Sequence, residues 1–378
     1  CVAQKAKRYG TELSLSEQEF ESTWNTVKPR KQFQPLRKKM LSIQAQAEEV
    51  IQSLKPFTFD AYEVKLNRPT GDSNNVFYHY RLRIDELTAA KQISTASNYR
   101  LAAKALKAYH SAEVLPFVSI TPKFLQGFEN YMVSIGRSLT TVSMYLRTLR
   151  TIFNDAIASK DVNPELYPFG RRKYVVPASQ NVKKALTPEQ LRDLMDAQAT
   201  TPDQERARRF FFFSYASNGM NMKDIALLKW QQVETDKLTF FRQKTKLTKK
   251  DKQKPITVFL TDFHREVLEQ YGTDPKRSEY VFPILEDGMD AEKQHGTVKN
   301  FTSYVNQHLA KLCKANNLQK VSTYWARHSF ATVAVRKGAS MEFMREALGH
   351  SDMKTTLNYF AGFDDEAKKE FASTIMDF

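Results

Sequence analysis

Cysteine is nearly absent from this chain: two among 378 residues, Cys1 and Cys313, lying at opposite ends. Neither a disulfide framework nor a Cys-rich zinc site can be built from them, and such usage suits a reducing cytosol. Histidine is also scarce. Of the seven, His79, His110, His264 and His295 stand isolated, and no pair has the spacing of a metal motif, so neither a protein-held metal nor a cofactor is expected. No apolar run approaches the roughly 20 residues a membrane helix needs, and the N-terminus is polar and lysine-rich rather than signal-like. These absences predict a cytoplasmic protein with no membrane partner. Acidic residues are the minority charge, 42 against 57 Lys and Arg, which leaves a net charge of +15. That excess favours a polyanionic partner. At 378 residues the chain exceeds what one core usually supports, so two or three domains are expected. Because it opens on Cys1 rather than Met, and the first residues read as if entering mid-strand, an N-terminal piece is expected to precede it.

What is present is mainly helical pattern. Thr11–Ser16 with Glu17 gives a helix-entry signal before Phe20 and Trp24. From Lys31 to Leu54, apolar residues at Leu36, Met40, Ile43, Ala47, Val50, Ile51 and Leu54 recur at helical spacing, predicting one amphipathic bridging helix. Residues 1–70 are therefore read as a small, separate module ending in that helix. The turn formers of 67–75 make the first linker. Residues 71–170 read as a compact helical domain with segments near 76–92, 95–110, 121–135 and 139–159, the later three opening on Ser94–Ser97, Thr121-Pro122 and Ser138–Thr141. In the fourth segment Arg147 and Arg150 sit beside an apolar face and are candidates for phosphate contact. Residues 171–185, including Arg171, Arg172 and Lys173, read as an extended basic linker suited to lie along a polyanion.

A last domain, 186–378, starts at Leu186-Thr187-Pro188 with a cap, a proline and acids in the first turn. Arg209–Ser217 predicts an apolar helix stopped by Asn218-Gly219. Leu238–Thr245 and Pro255–Leu260 predict a hairpin across a lysine-rich loop. The fold class expected is mainly α with a small antiparallel β-sheet.

Near the C-terminus, Ala326-Arg327-His328-Ser329-Phe330-Ala331-Thr332 is followed by Leu348-Gly349-His350-Ser351, and Tyr359 stands nine residues after that histidine. In combination these resemble the tyrosine recombinase or phage integrase family, most closely the integrases, sometimes labelled transposases, of Bacteroides-type mobile elements. The resemblance covers about residues 76–378. The chemistry explains the residue types. A phenol with a pKa of about 10 is a poor nucleophile and needs neighbours that withdraw charge and move protons. The resemblance implies that Tyr359 attacks a phosphodiester and Arg327 clamps its non-bridging oxygens. His350 would hydrogen-bond the phosphate and assist the nucleophile, and Lys244 would protonate the departing 5′ oxygen. Lys246 and Lys249, crowding the same hairpin, and His328, beside Arg327, are candidates for DNA contact. The product would be a 3′-phosphotyrosine, with no ATP and no divalent ion required.

Two positions depart from the family pattern. After Gly219-Met220, Asn221 stands where a first arginine is usual, while Asp224 matches the family's acidic position three residues on. Tyr324 stands three residues before Arg327, where a histidine is usual. Either another arginine, such as Arg206, Arg208 or Arg209 on the preceding helix, replaces the absent clamp, or the enzyme is slow or inactive. The family further implies double-stranded DNA as substrate and a homotetramer on DNA, with a monomer allowed when free. An element- or host-encoded DNA-bending helper and a bacterial, nucleoid-associated location also follow from it. The segment after Tyr359 would dock on a neighbour or pack in cis. Two alternatives share the pattern: a catalytically decayed relative that binds DNA as a regulator, and a type IB topoisomerase.

Overall fold

Helix-capping signals account for most of the architecture. The computed structural model describes residues 6–54, 56–66, 72–178, 185–246, 254–350 and residues 356, 357 and 359. Within these limits the chain is helical apart from one two-stranded antiparallel sheet, the fold class expected. No described helix is long and apolar enough to cross a membrane. The chain divides into two units, Cys1–Gln180 and Asn181–Phe378. Lys183, Lys184, Lys249 and the segment after Tyr359 lie outside the described residues.

In the first unit, α1 (Glu17–Phe20) opens on Ser16, whose hydroxyl accepts the Glu19 amide in a capping box. The amphipathic stretch becomes α2 (Gln34–Ser53), entered through a 3₁₀ turn at Lys31–Phe33, and α3 (Phe59–Leu66) follows. Four helices then enclose a core: α4 (Val76–Ala89), α5 (Ile93–His110), α6 (Pro122–Ser134) and α7 (Leu139–Ala158). Asn75, Thr121 and Ser138 cap α4, α6 and α7 with side-chain oxygens that accept the Phe77, Phe124 and Thr141 amides. The Ser94–Ser97 cluster is not a cap. Lys91 adopts a left-handed conformation (φ 58°), the Gln92 amide closes α4 onto Leu87, and α5 starts at once at Ile93. Tyr80, Leu106, Phe117, Leu125, Phe128 and Phe153 are fully buried, each contributing about 1.5–3 kcal/mol of burial.

The stretch after α7 differs from the extended strap expected. Phe169 and Tyr174 are buried in the same core and pair across a tight loop, the Tyr174 amide donating to Pro168 and the Gly170 amide to Tyr174. Two aromatic anchors five residues apart outweigh the polar, extended character of the residues between them. Arg171, Arg172 and Lys173 are consequently displayed on the tip of that loop, all exposed.

The second unit begins with α8 (Pro188–Asp196), capped by Thr187 and Gln190 in a capping box, and α9 (Pro202–Ala216), which buries Phe210, Phe211, Phe212 and Phe213. After α10 (Met222–Ala226), β1 (Lys237–Phe240) pairs antiparallel with β2 (Ile256–Phe259), in the register Lys237 to Phe259 through Phe240 to Ile256. The first strand is shorter than its β-pattern suggests. Beyond Phe240 the Gln243 amide donates to the Asp224 carboxylate (3.0 Å) rather than to the ladder, and Gln243–Lys246 forms a helical turn, α11. Then come α12 (Asp262–Tyr271), α13 (Ala291–Ala315), α14 (Thr323–Arg336) and α15 (Met341–Ala347). Helix α9 packs against α12, α13 and α14. Helix α14 buries Ala326, Arg327, His328, Ser329, Ala331, Val333 and Val335. Ser329 fixes the start of the unit by accepting the Leu186 amide (2.8 Å).

Candidate active site

The site is built around a buried arginine. Arg327 is 4% exposed in the middle of α14, and its guanidinium donates to the Gly219 carbonyl (3.1 Å), to the Leu348 carbonyl and to His350 Nε2 (3.3 Å). A buried guanidinium needs such acceptors, because an unsatisfied one is costly. Gly219 is required for the approach. It lies in the left-handed region (φ 68°), and a Cβ there would stand 2.7 Å from Arg327 Cα and Cγ. The Asn218-Gly219 pair read as a helix stop therefore also gives Arg327 the room it occupies. Burial, then the charge of Arg242, lowers the Arg327 pKa to about 10, so it stays cationic at neutral pH.

His350 is placed by the end of α15. Gly349 takes a left-handed conformation (φ 59°) and its amide donates to Glu346, while the His350 amide donates to Arg345 (both 2.9 Å), the two bonds of a Schellman cap. An arginine can only donate, so His350 Nε2 must accept from Arg327, and Nδ1–H then donates to Thr356 Oγ1 (3.0 Å). Burial and the charges of Arg327, Arg242 and Lys244 push the His350 pKa down to about 3. The ring is neutral, with its lone pair directed at the arginine.

Tyr359 is partly buried, packed against the cluster of Ala331, Val335, Met344 and Leu348. Its hydroxyl lies 3.0 Å from His328 Nδ1, and its ring lies nearly parallel to His350 (6.2 Å between centroids, 13°). Burial raises its pKa while Arg327 pulls it back. Tyr324, one turn before His328 on α14, is 58% exposed and meets the His328 ring edge-on at 4.4 Å. His328 itself, expected at a DNA surface, is 9% exposed and faces Tyr359.

Asp224 joins the hairpin to this cluster. It is 5% exposed, accepts the Gln243 amide, and receives Asn221 Nδ2 at 3.5 Å. Burial raises its pKa, opposed by the Gln243 and Asn221 hydrogen bonds and by the charges of Arg242 and Arg327. The bond to Gln243 fixes the backbone between Arg242 and Lys244. Partial burial, with the charges of Arg242 and Arg327, holds the Lys244 ammonium below the ordinary lysine range, which suits a proton donor.

The structure thus brings Arg327, His350, Tyr359, His328, Tyr324, Asp224, Asn221 and Lys244 into one neighbourhood. It does not bring Arg206, Arg208 or Arg209 there. Arg206 lies over the Phe210, Tyr271 and Tyr304 rings; Arg208 donates to the Met195 and Ala197 carbonyls and to Glu205; Arg209 pairs with Glu205 and Glu266. The cation that does stand in the site is Arg242, whose charge acts on Arg327, His350, Lys244, Tyr359 and Asp224. It was not singled out from the sequence. The signal available was its place two residues before Lys244, at the end of a strand and outside the lysine-rich loop. Arg147 and Arg150 are exposed on α7 and Arg171–Lys173 on their loop, all in the other unit. Lys246 ends α11. Among the described residues no group of three His, Cys, Asp or Glu could hold a metal.

Comparison with known proteins identifies the family. The phage integrase family model matches residues 184–366, and that of the phage integrase SAM-like domain matches residues 75–175. Tyrosine recombinase XerC of Halalkalibacterium halodurans is 26% identical over 274 residues, 70% of this chain and 86% of that protein. Tyrosine recombinase XerA of Thermococcus onnurineus is 24% identical over 266 residues, 62% of this chain and 89% of that protein. In fold, the Tn1549 transposon integrase in complex with a circular intermediate DNA superposes with a TM-score of 0.58 at 14% identity, over 79% of this chain and 99% of that one. A lambda integrase dimer bound to a core site gives 0.53 at 18% identity, over 76% and 97%. With a buried arginine, a histidine and a tyrosine converging from α14 and the segment after α15, and with two phage integrase models matching residues 75–175 and 184–366, the chain belongs to the phage integrase family of tyrosine recombinases.

Proposed function

We propose that this protein is a site-specific recombinase of a mobile element that cuts and rejoins double-stranded DNA through a 3′-phosphotyrosine on Tyr359. Tyr359 Oη attacks the scissile phosphorus, the P–O5′ bond breaks, and Lys244 gives a proton to the departing O5′. Rejoining reverses these steps with a different strand, so the bond energy is kept in the phosphotyrosine. Arg327 donates to the non-bridging oxygens as their charge grows, and its carbonyl and histidine partners hold it in position beforehand.

Asn221 carries no charge, and the loss of one preorganised cationic donor would cost about 2–4 kcal/mol of transition-state stabilisation. Arg242 supplies that second clamp from the hairpin side. Asp224 acts as a positioning residue, through the Gln243 amide and through the charges of Arg242 and Arg327. Asn221 in the first-arginine position also supports the narrower placing among Bacteroides-type integrases. Residues 75–175 serve as the core-binding half of a DNA clamp, presenting Arg147, Arg150 and the Arg171–Lys173 loop to backbone phosphates, with residues 1–70 as an accessory DNA-binding module. The working assembly is a homotetramer on two DNA sites, aided by a DNA-bending helper. A lambda integrase tetramer bound to a Holliday junction has the same fold at 17% identity, with a TM-score of 0.53.

The observation that carries the reading is the contact chain from Arg327 through His350 to Tyr359. It is tested with a nicked suicide duplex made from the DNA flanking the gene. Wild type should form a protein–DNA adduct stable to denaturation, and Tyr359→Phe none. No adduct from either protein would defeat the catalytic assignment.

A further inference from the structure

In this chain the residue three positions before Arg327, Tyr324, carries a phenol hydroxyl and has no ring nitrogen to accept a proton. His350 is also occupied. Its Nε2 faces the Arg327 guanidinium at 3.3 Å and its Nδ1 faces Thr356 at 3.0 Å. With Arg327 obliged to donate, the lone pair of His350 is committed to the arginine and its one proton to the threonine. Neither group is arranged to receive the proton that Tyr359 must lose.

One nitrogen in the site is so arranged. His328 Nδ1 lies 3.0 Å from Tyr359 Oη, within the 2.6–3.2 Å reach required of a general base. His328 is held there by its place on α14: 9% exposed, with the Tyr324 ring packed edge-on against it at 4.4 Å and the Tyr359 ring at 5.5 Å. The residue at 324 and the residue at 328 are one helical turn apart, so they lie on the same face. A base moved by that turn still meets the nucleophile.

We propose that His328 is the catalytic base for Tyr359, accepting the phenol proton at Nδ1 during cleavage and returning it to the phosphotyrosine oxygen during rejoining. This rests on the reading of Tyr359 as nucleophile. The step balances within the site. As Tyr359 Oη bonds to phosphorus its proton passes to Nδ1, so a neutral His328 carrying its hydrogen on Nε2 becomes imidazolium. The P–O5′ pair leaves with O5′, which takes a proton from Lys244. Rejoining by an incoming 5′-hydroxyl reverses both transfers. Tyr324 becomes a positioning residue that packs the His328 ring.

Two measurements test it. In the free protein, ¹⁵N-histidine NMR should show His328 neutral, protonated on Nε2, with its Nδ1 resonance moved by Tyr359→Phe. A proton on Nδ1, or no response to that substitution, would overturn the assignment. In the second, the suicide duplex is made with an ordinary scissile phosphate or with sulfur replacing the bridging 5′ oxygen, a leaving group that needs no proton. His328→Asn and His328→Ala should lose about 100-fold or more in adduct formation on both duplexes while still binding them. Lys244→Ala should be defective on the oxygen duplex and restored on the sulfur one. Rescue of the His328 variants by sulfur, or adduct formation at the wild-type rate, would show that His328 is not the base. If wild type gives no adduct on either duplex, the tyrosyl chemistry itself fails, and this inference with it.

Discussion

Substituting Gly219 by alanine is the sharpest probe of how Arg327 is positioned. The residue has a φ of 68°, and a Cβ would stand 2.7 Å from Arg327 Cα and Cγ and 2.9 Å from its Cβ. The backbone conformation alone costs an alanine about 1–2 kcal/mol. The collision is with the backbone of a buried helix, which cannot be relieved by turning a side chain, and overpacking of this kind costs about 1–3 kcal/mol more. Two other glycines calibrate the sum. Gly288 has a φ of 81° with nothing within 4 Å of its Cβ position, so Gly288→Ala carries the backbone cost alone. Gly349 has a φ of 59°, and its Cβ would meet Ile256 Cδ1 at 2.6 Å, the movable end of a side chain. Stability measured by denaturant unfolding should fall in the order Gly288→Ala, Gly349→Ala, Gly219→Ala, the last by about 2–5 kcal/mol. In addition, Gly219→Ala should impair adduct formation under conditions where the variant remains folded, because the carbonyl that Arg327 donates to must shift with it. If Gly219→Ala is no more destabilising than Gly288→Ala and cleaves normally, then the close approach does not hold Arg327 in place.

The Arg242 assignment predicts that Arg242→Ala lowers cleavage by about 100- to 1000-fold, whereas Arg209→Ala, whose guanidinium is paired with Glu205 and Glu266 away from the site, leaves it unchanged; equal effects would remove Arg242 from the clamp. Acid stability gives a separate test. Burial lowers the His264 pKa to about 4, so between pH 6.5 and 4 the unfolded chain binds a proton that the folded one refuses, and stability falls as pH falls. Between pH 7.5 and 5 this amounts to about 2 kcal/mol from His264 alone. Replacing it by asparagine should flatten the dependence of Tm on pH over that interval; an unchanged slope would show that His264 is not held neutral.

Local chemistry settled much of this protein before any tertiary contact was considered. Caps at Thr121, Ser138 and Thr187 and the stop at Asn218-Gly219 depend on residues three or four apart, so α6, α7, α8 and the end of α9 were legible from sequence. Arg327, His350 and Tyr359 were legible in another way, through the resemblance of their motifs to the tyrosine recombinase family. Proximity between distant segments was not legible. Asp224 draws Gln243 out of the β-ladder and turns the hairpin end into a helical turn, which no pattern in residues 238–245 announces. Arg242 was not singled out until that turn set it beside Arg327, while the arginines of α9 were taken up by Glu205, Glu266 and aromatic rings. His328 read as a DNA contact because its neighbour, Arg327, is the residue that the resemblance assigns to the phosphate. Only the packing of Tyr359 against α14 decided that His328 faces it, since a helix specifies which residues share a face and the packing of the chain specifies what that face meets.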